Sequence, residues 1–283
     1  MKPITLKRKG TIPIIQVQTD NIPYLWYPAL ADTGIVKHCF STRLGGVSQG
    51  IYESMNLSYL RGDEKEAVDT NFRRIAEAIH VDPKDYVFTD QTHTANVRIV
   101  TEADRGKGFL KERDYTDVDG LVTNVPDLVL STFYADCVPL YFVDPVKKAI
   151  GLSHSGWKGT VNRIGASTIK TMTDTYGSDP KDIIAAIGPS ICMECYEIGE
   201  EVAKEFKRGF SKEQADELLF SKGNEKYQLD LWRANEIILE EAGVLPENIS
   251  TTDVCTCCNA AILFSHRASK GKRGNLGAFL CLK

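Results

Sequence analysis

Histidine is scarce in this sequence: five in 283 residues, at positions 38, 80, 93, 154 and 266. A site that needs many imidazoles, such as a cluster of several copper ions, cannot be assembled from one such chain. Excess positive charge is also missing, with 34 Lys and Arg against 38 Asp and Glu and a net charge of −4. That balance gives no basic footprint for a nucleic-acid polymer or an anionic membrane, though it leaves a small nucleotide-like substrate open. No apolar run is long enough to span a bilayer. The opening MKPITLKRKGTIPIIQ is basic but has no signal-like apolar core, so a cytoplasmic location is expected. Repeats, low-complexity tracts and Pro-rich linkers are absent, which predicts one mixed α and β domain over residues 1–283.

Cysteine is not scarce. The chain has eight, at 39, 137, 192, 195, 255, 257, 258 and 281. Without a secretory signal they argue for free thiols rather than a disulfide framework, leaving some available to a metal.

Hydrophobic spacing predicts a helix from Asp63 to His80, with Asp63 as N-cap and Val68, Phe72, Ile75 and Ile79 on one face. Further helices are expected over Thr160 to Tyr176, Glu197 to Phe206, and Asp230 to Ala242, the last stopped by Gly243. Between them GLVTN, LVLSTFYAD, VPLYFVD, AIGLSHSG and IIAAI read as strands at the centre of a sheet. The loop STRLGGVSQGIYESMNLS is long, polar and Gly-rich, a composition that more often carries function than framework.

Three segments join metal-binding residue types to strand ends or loops: DQTHTANV around His93, YADCVPL around Cys137 and LSHSGWKGT around His154. Two imidazoles and a thiolate are the ligand count of a catalytic zinc site with its fourth position open. From residue type alone, packed core or surface side chains are the commoner reading, because the spacing follows no general rule.

These segments resemble the YfiH/YlmD family, also called the laccase-domain or multicopper polyphenol oxidase family. The resemblance runs through FSTRLGGVSQGIYESMNLS, QTHTANV, DVDGLVTNVPDLVLSTFYADCVPLYFVDP, HSGWKGT, IGPSICMECYEIGEEV, LDL, the CT at Cys255 and FSHR. It implies a four-layer α/β/β/α stack of mixed sheets, similar to the catalytic domain of cytotoxic necrotizing factor. It also implies a zinc ion, or copper, on His93, Cys137 and His154. The activity implied is a purine nucleoside phosphorylase acting on adenosine, inosine, guanosine and methylthioadenosine, with adenosine deaminase activity. Ser155 and Lys158 depart from the family's usual HAGWRG, and His266 stands where a Tyr is usual.

For phosphate, Arg43 and Arg267 are the arginines singled out, with Lys158 a weaker candidate because it lacks the planar fork of arginine. Ser41 and Asn56 are candidate sugar or base contacts. Asp136, beside Cys137, is the candidate acid–base group. The usual zinc-deaminase signature is missing: no histidine is followed two positions later by Glu, and there is no Pro-Cys-x-x-Cys. Copper oxidase chemistry ranks lower, since only His38, His80 and His266 are left over for further metals. Cys137 could instead be a thiol nucleophile with His154 as its base, as in a deamidase, or the chain could be a non-enzymatic binding protein. Cys192, Cys195, Cys255, Cys257 and Cys258 could together hold a second, structural zinc.

Overall fold

The computed structural model describes residues 4–10, 14–18 and 22–283. Two six-stranded sheets carry the fold. The first runs in the order Gln16–Gln18, Tyr24–Trp26, Val36–Ser41, Leu276–Leu282, Val129–Tyr134 and Tyr86–Phe88, antiparallel until its last, parallel pair. The second runs Ile249–Thr251, Ile184–Ile187, Val138–Asp144, Ala149–Ser155, Gly120–Thr123 and Val97–Ile99, antiparallel inside and parallel at both edges.

The strands read as continuous apolar runs because both faces of each sheet are covered. Within Val138–Asp144, Tyr141 and Val143 point into the core between the sheets, while Val138, Leu140 and Phe142 point into an outer core under helices. The same period of two divides Leu276–Leu282: Ala278 and Leu280 face inward, and Phe279 and Cys281 face outward. Helix Lys65–Ala78 covers the first sheet through Val68, Phe72 and Ile75. Helices Ile164–Tyr176, Glu200–Gly209 and Leu231–Glu241 cover the second through Ile169, Met172, Phe206 and Ile238. The result is an α/β/β/α stack, with a small third sheet of Glu197–Gly199, Lys226–Leu229 and Leu219–Gly223 at its side.

Three helix boundaries differ from the sequence reading. Asp63 does not cap its helix: the N-cap is Glu64, without a side-chain bond, and Asp63 instead accepts from the Asn56 amide at 2.9 Å. The expected Thr160 to Tyr176 helix is two helices, Trp157–Val161 and Ile164–Tyr176, broken at Arg163 with φ 59°. Tertiary contacts override the helical spacing there, since the Arg163 guanidinium donates to Gly209 O at 3.1 Å and pairs with Glu241. Residues Glu197–Gly199 form a strand before helix Glu200–Gly209, because they pair with Lys226–Leu229. By contrast Asp230 caps Leu231–Glu241, accepting from Arg233 N at 3.0 Å, and Gly243 takes φ 96° after it.

Candidate functional site

The two connections that pass from the first sheet to the second near one end of the sandwich each carry a ligand-type residue. One links Tyr86–Phe88 to Val97–Ile99 and holds His93 in the left-handed region at φ 68°. The other links Val129–Tyr134 to Val138–Asp144 and holds Cys137, after Asp136 at φ 90°. His154 completes the group from strand Ala149–Ser155, in register with Pro139. One nitrogen of each imidazole and the sulfur all lie within 4.8 Å of one another. His154 is buried, Cys137 half-buried and His93 exposed, so the group opens toward solvent on the His93 side.

Asp119 holds this arrangement. It is fully buried just before strand Gly120–Thr123. Its Oδ1 lies 2.8 Å from His154 Nδ1, and its Oδ2 accepts from Thr92 N at 3.1 Å and Thr94 N at 2.8 Å. A carboxylate on Nδ1 leaves Nε2 of His154 to the cluster, the usual second partner of a metal-ligating histidine. Gly156 allows the close approach. A Cβ there would lie 2.8 Å from His93 Cδ2 and 3.2 Å from Cys137 Sγ.

Burial opposes ionisation of Cys137, yet the neighbouring His154 and His93 imidazoles bring its thiol down to about 6. Burial likewise opposes charge on His154, but the Cys137 sulfur and Asp119 raise it to about 9. Asp119 is desolvated, and its bonds to His154 and Thr94 still hold it below the usual carboxylate range. A thiolate with two imidazoles, open on one side, fits a borderline-soft ion such as zinc with a position left for substrate.

The three side chains open into a cavity of about 860 Å³ that is also lined by Phe88, Phe109 and Phe133 and by Arg61, Arg273 and Asn275. Arg273 is buried, at 8% exposure. Its Nη1 donates to Asn275 Oδ1, while Nε has no hydrogen-bond partner among the described residues. Burial and the nearby Arg61 guanidinium lower its pKa to about 10. Two neighbouring cations, one with an orphaned buried donor, make a receptive place for an anion.

Most polar candidates singled out from the sequence lie elsewhere. Arg43 donates to Glu53 O at 2.8 Å and Ala260 O at 3.0 Å, and stacks on Phe264. Arg267 donates to Cys195 O at 3.2 Å and Glu197 O at 2.8 Å. Ser41 is fully buried and accepts from Gly277 N. Asn56 is buried too, bonded to Ser58, Asp63 and Asn275. Lys158 is exposed beside Trp157. None of these five lines the cavity. The structure engages the donors and acceptors of Arg43, Arg267, Ser41 and Asn56 within loops and strands and leaves Lys158 facing solvent. Asp136 is also outside the cavity lining. Its carboxylate accepts from Thr256 Oγ1 at 2.6 Å and Arg267 N at 2.7 Å, so it pins backbone rather than facing the cavity.

Sequence reasoning missed Asp119, Arg61 and Arg273. Asp119 lies in the DVDG motif, where an acid preceding a strand was the available signal. Arg273 lies between glycines in GKRGN, a pattern that lets backbone fold tightly around one side chain.

A family model described as multi-copper polyphenol oxidoreductase laccase matches residues 37–283. The chain belongs to this family. It is 40% identical over 248 residues, 86% of this chain and 87% of the other, to the purine nucleoside phosphorylase YlmD of Bacillus subtilis. It is 37% identical over 262 residues, 93% and 94% of the two chains, to a purine nucleoside phosphorylase of Deinococcus radiodurans. The crystal structure of Bacillus licheniformis hypothetical protein YfiH superposes with TM-score 0.89 at 34% identity, covering 94% of this chain and 99% of that one. YlmD from Geobacillus stearothermophilus gives TM-score 0.88 at 33% identity, covering 96% and 100%. The resemblance seen in the motifs and the mixed α+β fold it implied are both shown. No helix among the described residues is long and apolar enough to cross a membrane.

Proposed function

We propose that this family member is a zinc-dependent purine nucleoside phosphorylase, converting adenosine, inosine, guanosine or methylthioadenosine and phosphate to free base and pentose 1-phosphate, with adenosine deaminase activity at the same site. The observation that carries the phosphorylase reading is Arg273. This buried guanidinium has an unpartnered Nε and lines the same cavity as His93, Cys137 and His154. The names of the relatives point to the same reaction.

Arg273 and Arg61 hold inorganic phosphate, offsetting their mutual repulsion. The aromatic rings of Phe88, Phe109 and Phe133 take the purine, whose flat face needs apolar contact. A phosphate oxygen then bonds to C1′ as the C1′–N9 bond breaks, and the purine leaves with the bond's electron pair and takes up the proton that the attacking hydrogen phosphate gives up. His93, Cys137 and His154 would hold zinc, which supplies Lewis acidity and activates water. Asp119 fixes the tautomer and orientation of His154, and Gly156 keeps the approach to His93 clear.

A second reading rests on the Cys137 sulfur, which lies within 4.8 Å of an imidazole nitrogen of both His93 and His154, the grouping of a thiol nucleophile with its base. The copper oxidase reading has less support. His38 accepts from Tyr27 N inside the core, and among the described residues neither it nor His80 nor His266 belongs to a group that could hold a metal.

The deciding experiment incubates zinc-loaded protein with adenosine or inosine, with and without phosphate, and separates the products. Free base and ribose 1-phosphate formed only with phosphate support phosphorolysis, and inosine formed from adenosine without phosphate supports deamination. Neither product from metal-loaded protein overturns the proposal. Activity that survives complete chelation favours the thiol nucleophile instead.

A further inference from the structure

A second group of soft ligands lies in the loops beside the cavity site. Cys192 and Cys195 bracket the short turn Met193–Cys195, after strand Ile184–Ile187. Cys255 and Cys258 follow strand Ile249–Thr251, the parallel neighbour of that strand. The parallel pairing extends through a bridge between Ser190 and Cys255, which brings the two Cys-x-x-Cys pairs face to face. All four sulfurs lie within 4.8 Å of one another, and none is in a disulfide.

The spacing separates two chemistries. A tetrahedral zinc with bonds of about 2.3 Å sets its sulfurs about 3.8 Å apart, whereas a disulfide needs about 2 Å. Cys195 and Cys258 stand at 3.6 Å. Backbone amides are also aimed at sulfur: Cys255 Sγ accepts from Cys192 N at 3.3 Å and from Cys258 N at 3.4 Å. Such donors stabilise a thiolate. Lys9, paired with Glu194 at 3.2 Å, lies close enough to act electrostatically on Cys192 and Cys258. Cys257 is the exception, packing against the helix-side core outside the group.

We propose that Cys192, Cys195, Cys255 and Cys258 form a closed tetrathiolate site for a structural zinc ion, separate from the cavity site. Four protein ligands leave no position for substrate. The site braces the neighbouring chemistry through Asp136. Ile191, next to Cys192, donates its N–H to Asp136 O at 3.0 Å, and Thr256, next to Cys255, donates its hydroxyl to Asp136 Oδ1. Asp136 immediately precedes Cys137, so the metal would clamp two of the segments that grip the turn carrying that residue.

The test counts metal in full-length protein purified without oxygen. Wild type is expected to carry two zinc ions per chain. The His93→Ala/His154→Ala variant should retain one. Its cobalt-substituted form should show thiolate-to-cobalt charge transfer and the visible bands of a tetrahedral four-sulfur site. The Cys195→Ser/Cys258→Ser variant should also fall to one ion, with a lower Tm. If that variant does not fold, wild type and the histidine variant decide the question by themselves. A folded His93→Ala/His154→Ala chain that holds no metal after zinc loading overturns the proposal. A cobalt spectrum lacking four-sulfur features, or a cysteine variant binding as much zinc as wild type, does so equally.

Discussion

Asp119 bonds His154 Nδ1 with one carboxylate oxygen at 2.8 Å and gathers the amides of Thr92 and Thr94, on either side of His93, with the other. One buried acid therefore fixes both the His154 ring, on a strand, and the backbone that carries His93, in a connection between the sheets. Replacing Asp119 by Asn keeps the shape but removes the charge and one acceptor. Affinity for zinc at the cavity site should fall about 10- to 100-fold. Competition with a chromophoric chelator measures this, and unchanged affinity would remove Asp119 from the site.

Gly156→Ala tests the packing of the ligands directly. The added methyl would sit 2.8 Å from His93 Cδ2, so the His93 ring must swing away. Overpacking of this kind costs about 1–3 kcal/mol. The cost should appear as weaker zinc binding with little change in Tm, because the exposed His93 can move without disturbing the core. Zinc titration alongside thermal melts would reveal the reverse pattern if the methyl is accommodated elsewhere.

Arg273→Met removes the buried cation from the cavity. A hydrogen bond to a charged group contributes about 1.5–3 kcal/mol, which corresponds to a rise of about 10- to 100-fold in KM for phosphate. Arg43→Met is the comparison, since Arg43 spends its donors on Glu53 and Ala260 carbonyls. It should lower Tm and leave KM for phosphate unchanged. Initial rates at varied phosphate separate the two, and equal effects on KM would return Arg43 to the site.

Acid sensitivity should arise in part from His38. Burial holds its pKa at about 4, and its Nε2 accepts from Tyr27 N at 2.8 Å. The folded value lies below the unfolded one, so the unfolded chain binds the extra proton first as pH falls. The contribution is intact above about pH 6.5 and is lost progressively toward pH 4, amounting to about 3 kcal/mol. His38→Gln should flatten the pH dependence of denaturant midpoints over that window. A His38→Gln protein with the same acid slope as wild type would place the sensitivity elsewhere.

The sequence by itself determined the layers and the candidate metal ligands. Apolar runs such as VPLYFVD and the helical spacing of Val68, Phe72 and Ile75 specify buried strands and a covering helix, because periodicity follows from backbone geometry. The ordered motifs around His93, Cys137 and His154 carried both the family and the three soft ligands. Helix boundaries at Glu64, Arg163 and Glu197 were not legible, since Asp63 is taken by Asn56 in the preceding loop and the other two are set by partners distant in sequence.

Only the tertiary structure decided which cations line the cavity and which carboxylate meets His154. Arg43 and Arg267 lie in conspicuous polar motifs, yet carbonyls occupy their donors; Arg61 and Arg273, in plainer surroundings, line the cavity. Asp136 stands beside Cys137 in sequence but faces Thr256 and Arg267, whereas Asp119 reaches His154. The physical reason is that a polar side chain's role depends on which partners satisfy it. Here those partners come from segments distant in sequence, such as Ala260 for Arg43, Glu197 for Arg267 and Thr256 for Asp136.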